Sequence, residues 1–323
     1  MGQYVFVEEK FSNSPIVKGT TAFAEKDHAP IRDTGVYLPP QHDFKQDTVN
    51  VVLWFHGFYV QNVRDLLHPD SDKMDMKLRE SVLRAGKDTI LVAPWLGLKS
   101  SSDSGSLDLA SLNVADGCGV YLDQVLNGIA RLRQALSGSA SSALHLGKLV
   151  IAGHSAGGAL MRAAGQHLGK YKDHVKEYWG FDCFYDELYP SWARENPRPD
   201  KVFYVGDGSG AGGRHAFQLM KQVYGTPKRP LARSQALPRM YVAPAVDRVY
   251  TADDDVAFQS IIDVTDWSPA GPNVYTDVRK ATDPLLDSYD HSVYWTKLFP
   301  KLSGHFHVVR DLLGPRIKQS QWL

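Results

Sequence analysis

The chain has few cysteines, no excess of charge of either sign and no long apolar run. Its 323 residues include only Cys118 and Cys183, which share no CxxC spacing, so a disulfide framework and the common zinc and thioredoxin motifs are excluded. Lys plus Arg and Asp plus Glu each number 36, so the chain lacks the cationic excess that nucleic acids and anionic membranes attract. We therefore expect neither as a partner.

The longest apolar runs, such as 51–55, fall far short of the roughly 18 residues that a membrane-spanning helix needs. The first residues are followed by Glu8, Glu9 and Lys10 instead of the apolar segment of a signal peptide. We expect no transmembrane segment and, for the sequence as written, a cytoplasmic location. A mature secreted form whose signal has been removed is the alternative.

What is present is the composition of a globular protein, with 43% hydrophobic and 22% charged residues. Short β-branched and aromatic runs alternate with helical patterns, which predicts an α/β fold with a mostly parallel central sheet flanked by helices on both faces. Strands are predicted at 3–8, 35–38, 49–55, 89–93, 148–152, 177–181 and 201–205, and helices at 75–84 and 120–136. We interpret residues 1–323 as one domain.

Two regions depart from this alternation and are interpreted as insertions that shape a pocket, at about 97–117 and 225–290. The first is polar and rich in serine, and the second is rich in Pro and Asp. The second contains three consecutive aspartates at 253–255, but it lacks the spacing of a calcium loop, so a solvated acidic turn is favoured.

The sharpest local feature is Gly-His-Ser-Ala-Gly at 153–157, which follows the predicted strand 148–152 and precedes a helical pattern. A sharp strand-to-helix turn holds a serine hydroxyl above a sheet, and glycines on both sides are needed because side chains there would clash with neighbouring elements. The alternative is a glycine-rich turn that binds phosphate through backbone amides. It is disfavoured because neither a Walker lysine nor GxGxxG is present.

With this motif the sequence resembles the α/β-hydrolase family of serine hydrolases, of esterase or lipase type, over most of its length. The apolar strand that ends in His56-Gly57-Phe58 is similar to the strand that precedes the oxyanion loop in many esterases and lipases. The resemblance implies that Ser155 is the nucleophile and that the backbone amides of Phe58 and Ala156 bind the oxyanion. His56 and His154 are interpreted as structural.

The family order of serine, acid and histidine places the acid after Ser155, and two aspartates compete. Asp182 ends the strand 177–181, in a stretch similar to the Gly-Leu-Asp of pancreatic-type lipases. Asp207 ends the next strand, which is the commoner position for the fold. We favour Asp182, because the glycine-rich surroundings of Asp207 are equally typical of a turn, and Asp186 is a lesser alternative.

For the base, the segment that begins at Gly304 resembles the family's terminal histidine loop running into its last helix. His305 matches the usual spacing and is favoured. His307, two residues on, and His291 are the alternatives.

Together these features predict a serine hydrolase that cleaves small or polymeric carboxylic esters, with no cofactor and no metal. An amidase or peptidase with the same triad is one alternative. A non-catalytic binding protein on the same scaffold is the other. The sequence does not distinguish the acyl and alcohol groups of the substrate or the oligomeric state.

Overall fold

The structure is a computed structural model in which residues 6–9, 33–58, 60, 64–67, 76–95, 115–137, 143–183, 202–207, 239–244, 305 and 307–323 are described. Most residues of the two ranges interpreted as pocket-shaping insertions in a single domain, 97–117 and 225–290, lie outside the described residues. His291 and Asp186 lie outside them entirely. No helix in the described ranges is long and apolar enough to cross a membrane.

In the described residues, eight strands form a single sheet in the order β1-β2-β4-β3-β5-β6-β7-β8. β1 pairs antiparallel with β2, and β2 with β4, whereas every pairing from β4 to β8 is parallel. The predicted mostly parallel α/β sheet is thus confirmed. The strands are β1 (Phe6–Glu9), β2 (Asp33–Tyr37), β3 (Thr48–Phe55), β4 (Ile90–Trp95), β5 (His145–His154), β6 (Val175–Phe181), β7 (Val202–Asp207) and β8 (Arg239–Pro244).

The eighth strand was not predicted from the sequence. β8 pairs in parallel with β7 and so extends the sheet inside the segment that was interpreted as an insertion at 225–290. Its short stretch ends at Pro244, and proline is a residue that usually argues against a sheet strand. In the part of the chain that the structure describes, β8 is the last strand of the sheet and pairs with β7 alone, and such an outer position accommodates a proline.

The described helices are α1 (Arg64–Leu67), α2 (Leu78–Ala85), α3 (Gly117–Ser137), α4 (Gly157–Gln166) and α5 (His307–Gln319), with a 3-10 turn at Gly169–Tyr171. The helix predicted at 75–84 begins later than expected, at Leu78. Lys77 has a φ of 51°, a left-handed backbone conformation that cannot continue a right-handed helix.

Helices cover both faces of the sheet. On one face, Trp54 of β3 and Trp179 of β6 pack in one cluster with Val82 of α2 and Leu312 of α5. On the other face, Thr34 Oγ1 lies 2.9 Å from the hydroxyl of Tyr121 in α3. The strand β5, which leads to Ser155, lies between β3 and β6, and its last six residues are buried.

The C-terminal helix α5 is attached to the sheet by a buried ion pair. Arg316 of α5 donates to Glu177 Oε2 of β6, and both side chains are almost fully buried. Glu177 also accepts hydrogen bonds from Ser320 Oγ at 2.5 Å and from Trp179 Nε1 at 2.7 Å. The helix that follows His305 thus has a fixed position on the sheet.

Candidate active site

Ser155 occupies the turn between β5, which ends at His154, and α4, which begins at Gly157. Its φ of 53° lies in the left-handed region that a serine rarely adopts, so its backbone is strained. The Ser155 N–H donates to Phe181 O at 3.2 Å and so ties the turn to the end of β6. This is the sharp strand-to-helix turn expected for a serine presented above a sheet edge.

The two glycines of the motif are required by space. A Cβ on Gly153 would lie 2.7 Å from Gly157 O, and one on Gly157 would lie 2.7 Å from the carbonyl carbon of Phe55 in β3. Real Cβ atoms do not approach backbone this closely. The Gly-x-Ser-x-Gly pattern therefore reflects the tight packing of β5, α4 and β3 around the turn.

Gly57, in the loop after β3, packs directly on the serine side chain. A Cβ on Gly57 would lie 2.7 Å from Ser155 Cβ and 3.2 Å from Ser155 Oγ. The sequence indicated this loop by family resemblance, but its contact with the serine side chain was not predicted. The loop His56-Gly57-Phe58 is thus a wall of the same site.

Asp182 and His305 are joined by a hydrogen bond of 2.6 Å between Asp182 Oδ2 and His305 Nδ1. Asp182 follows the last residue of β6, is 1% exposed and has a φ of 41°. Its N–H donates to Gly206 O of β7 at 2.7 Å, which fixes this strained backbone. The imidazole of His305 is partly exposed, with 31% of its side-chain surface accessible.

Of the competing acids and bases, the structure brings together Asp182 and His305. Asp207 is the last residue of β7, and its side chain is outside the described part of the chain. His307 is the first residue of α5, two positions beyond His305.

Two further histidines lie beside Ser155, and both are buried. His56 donates from Nδ1 to Gly57 O at 2.6 Å, yet burial lowers its pKa to about 4. His154 donates from Nε2 to His305 O at 2.8 Å, and burial together with the nearby His305 lowers its pKa to about 3. Both rings are therefore neutral near pH 7 and act as hydrogen-bond donors to backbone carbonyls.

The residues expected to bind the oxyanion, Phe58 and Ala156, follow Gly57 and Ser155 in the chain. Ala156 has helical dihedrals and precedes α4. Two amides further along the chain donate within the first turn of α4: Gly158 N–H donates to Ser155 O at 3.0 Å, and Ala159 N–H donates to Ala156 O at 3.2 Å. In the described part of the chain, no group of three or more His, Cys, Asp or Glu side chains is arranged to hold a metal ion.

Comparisons with known proteins show similarity to solved structures alone. No protein-family model matches the chain, and a search of curated proteins finds no match. Similar solved structures include a ferulic acid esterase (14% identity, TM-score 0.44, 74% of this chain and 90% of that chain). Another is a feruloyl esterase module from Clostridium thermocellum (14% identity, TM-score 0.42, 75% of this chain and 81% of that chain). A third is an S-formylglutathione hydrolase from Agrobacterium tumefaciens (14% identity, TM-score 0.35, 65% of this chain and 80% of that chain).

The chain itself carries the features that the sequence resemblance implies for its fold. It has a mostly parallel sheet, helices on both faces, and a serine at a strained strand-to-helix turn. The chain has the α/β-hydrolase fold.

Proposed function

We propose that this protein is a serine hydrolase that cleaves carboxylic esters through an acyl-enzyme intermediate. The observation that carries the proposal is the 2.6 Å hydrogen bond between Asp182 and His305 at the sheet edge where Ser155 lies in its strained turn. A nucleophile, a base and an acid that orients the base are the three parts of a serine hydrolase triad.

In the proposed reaction, Ser155 Oγ attacks the ester carbonyl carbon and its proton passes to His305 Nε2. Asp182 Oδ2 accepts the Nδ1–H of His305, which selects the tautomer whose Nε2 can take that proton. In the described part of the chain, the other carboxylate oxygen, Oδ1, is buried and has no hydrogen-bond partner. The negative charge of the Asp182 carboxylate, next to the ring, stabilises the imidazolium that forms.

The attacked carbonyl oxygen becomes an oxyanion that the amides of Phe58 and Ala156 would bind. Gly57 packs against the serine side chain, so the loop that carries Phe58 runs next to the reacting atom. Ala156 precedes the first turn of α4, where the helix dipole favours negative charge. One such donor is worth about 3–4 kcal/mol in comparable enzymes.

The tetrahedral intermediate then collapses. His305 Nε2–H protonates the departing alkoxide, and the acyl group remains on Ser155 Oγ. A water molecule next gives its proton to His305 and attacks the acyl carbon, and return of that proton to Ser155 Oγ releases the carboxylic acid. The cycle leaves the three side chains as they began.

Labelling with a fluorophosphonate and turnover of p-nitrophenyl esters of increasing acyl length test the proposal. We expect the wild-type protein to be labelled and to hydrolyse at least one ester, and Ser155→Ala to lose both properties. Full ester turnover by Ser155→Ala would refute the proposal. A wild-type protein that cleaves anilides and peptides in a parallel panel, but no ester, would reassign the same site to an amidase. A wild-type protein with neither labelling nor turnover would support a binding role.

The choice of acid is tested separately with Asp182→Asn and the matched Asp207→Asn. An amide at residue 182 favours the wrong histidine tautomer, which costs about 10⁴-fold in kcat in a comparable triad. We expect that loss for Asp182→Asn and a much smaller effect for Asp207→Asn. The reverse pattern would show that the acid is Asp207.

A further inference from the structure

His154 immediately precedes Ser155 and contacts the proposed base. It is 1% exposed, and its Nε2 lies 2.8 Å from the carbonyl oxygen of His305. The centroids of the two imidazole rings are 4.6 Å apart, with 37° between the ring planes. The last residue of β5 therefore contacts both the backbone and the ring of a residue that lies 151 positions further along the chain.

The direction of this hydrogen bond follows from its partner. A carbonyl oxygen only accepts, so the proton must be on Nε2 of His154. Burial and the neighbouring His305 hold the pKa of His154 near 3, so the ring stays neutral over the pH range in which ester hydrolases work. His154 is thus a constant donor and does not exchange protons with substrate.

Two hydrogen bonds, one from His154 and one to Asp182, hold His305 at the adjacent ends of β5 and β6. His154 is paired with Phe181 in the register of β5 and β6, and Asp182 follows Phe181. One bond holds the His305 carbonyl, and the other holds its Nδ1. Ser155 N–H also donates to Phe181 O, so the serine and both residues that hold the histidine lie at the adjacent ends of β5 and β6.

We propose that His154 is a positioning residue for the base, which donates to the carbonyl of His305 and so fixes the imidazole between Asp182 and Ser155. This inference rests on the proposed function of the Ser155 site. A misplacement of about 1 Å between reacting groups costs about 10²-fold in rate, so a modest hydrogen bond can have a large kinetic effect.

Two substitutions of His154 by side chains of similar length distinguish the effect of its hydrogen-bond donor from the effect of its packing. His154→Gln keeps an N–H donor that reaches to about the position of Nε2, whereas His154→Met has similar reach and no donor. We expect His154→Met to lower kcat about 10- to 100-fold with KM within about 2-fold, since only the orientation of the base changes. His154→Gln should recover kcat to within about 3-fold of wild type.

A proton NMR readout tests the same inference without turnover. The His305 proton shared with Asp182 should give a downfield resonance in the wild-type protein, because it is held in a short hydrogen bond to a carboxylate. We expect the resonance to persist in His154→Gln and to broaden or disappear in His154→Met. His154→Phe, which keeps a planar ring without a donor, replaces the methionine variant if that variant does not fold.

Wild-type kcat and an unchanged resonance in a folded donor-free variant would overturn the role of His154. Equal losses in the Gln and Met variants would also overturn it, because packing and not donation would then be what matters. An inactive, unlabelled wild-type protein would instead refute the proposed hydrolase function, and the resonance would still report on His154.

Discussion

Ser155 and Asp182 are held in left-handed backbone conformations, with φ of 53° and 41°. Such conformations cost on the order of 1–3 kcal/mol for residues other than glycine, and they persist only where the surroundings enforce them. Here neighbouring strands enforce them, because Ser155 N–H donates to Phe181 O and Asp182 N–H donates to Gly206 O. In the described part of the chain, four residues other than glycine have a positive φ, and two of them are the residues proposed to attack and to orient the base.

Gly57→Ala is predicted to damage the site without unfolding the protein. The new Cβ would meet Ser155 Cβ at 2.7 Å, so the serine or the loop His56-Gly57-Phe58 must shift. We expect kcat/KM to fall by about 10²-fold, the effect of a displacement of about 1 Å between reacting groups. Ester turnover and circular dichroism of the same sample measure the two properties.

Gly86→Ala is the matched control for this substitution. Gly86 ends α2 with a φ of 68°, and a Cβ there would have no neighbour within 4 Å. We expect a loss of about 1–2 kcal/mol in the free energy of unfolding, from backbone strain alone, and an unchanged kcat. A Gly57→Ala variant with wild-type kcat would show that the loop His56-Gly57-Phe58 does not pack against the serine side chain.

At the scale of elements, α5 begins two residues after the proposed base, His305, and carries a buried ion pair near its end. The Arg316 guanidinium carbon lies 5.4 Å from the ring centroid of Trp179 and 5.3 Å from that of Tyr204, so aromatic faces enclose the charge that pairs with Glu177. Because Glu177 is fully buried, its charge depends on these contacts. The pair therefore holds α5 in one position on the sheet.

Arg316→Met is predicted to destabilise the protein by about 3–5 kcal/mol, since it leaves the carboxylate of Glu177 buried without its counter-charge. The double variant Glu177→Gln with Arg316→Met should lose less than the sum of the two single variants, because it removes the unpaired charge. Urea unfolding followed by fluorescence measures all three free energies.

Lys170→Met provides the comparison at an exposed pair. Lys170 Nζ lies 2.7 Å from Asp123 Oδ1, but 64% of the lysine side-chain surface is accessible to solvent. We expect a loss of at most about 1 kcal/mol. Strictly additive losses at Glu177 and Arg316, or a loss for Arg316→Met as small as that for Lys170→Met, would contradict the anchoring role.

For the whole molecule, the two buried histidines beside the site predict sensitivity to acid. In the unfolded chain both titrate near pH 6.5, whereas in the folded protein the pKa is about 4 for His56 and about 3 for His154. Between about pH 6.5 and pH 4 the unfolded state thus binds more protons, and the free energy of unfolding falls as the pH is lowered. In this range each histidine adds about 1.4 kcal/mol per pH unit to the slope of the free energy of unfolding against pH. Above about pH 7 both histidines are neutral in the folded and the unfolded state, so they add nothing to that slope.

His56→Asn tests this sign and slope in urea unfolding at a series of pH values. An asparagine keeps an N–H donor near the position of Nδ1 for Gly57 O but does not titrate. Between about pH 6 and pH 4.5, the slope of the free energy of unfolding against pH should therefore decrease by about 1.4 kcal/mol per pH unit, which corresponds to the uptake of about one proton on unfolding. An unchanged slope would mean that His56 is protonated in the folded state.

Local patterns in the sequence were sufficient for the features that depend on neighbouring residues. Buried strands are continuous apolar runs, and the turn at 153–157 needs glycines within two residues of Ser155, so both can be recognised from short segments. β8 was missed because its short stretch next to prolines has a weak local pattern for a strand. Its strand conformation depends on the pairing with β7, which lies outside the segment itself.

The sequence by itself therefore determined the α/β architecture and singled out Ser155, with Asp182 and His305 as favoured but contested partners. Only the tertiary structure shows that Asp182 and His305 are in contact. Asp182 and Asp207 lie at the ends of the adjacent parallel strands β6 and β7, so the local sequence pattern cannot distinguish them. The contact of Asp182 with His305 depends on where His305, 123 positions further along the chain, packs against the sheet. The same long-range return brings His305 onto His154, a contact between groups that no local pattern in either segment encodes.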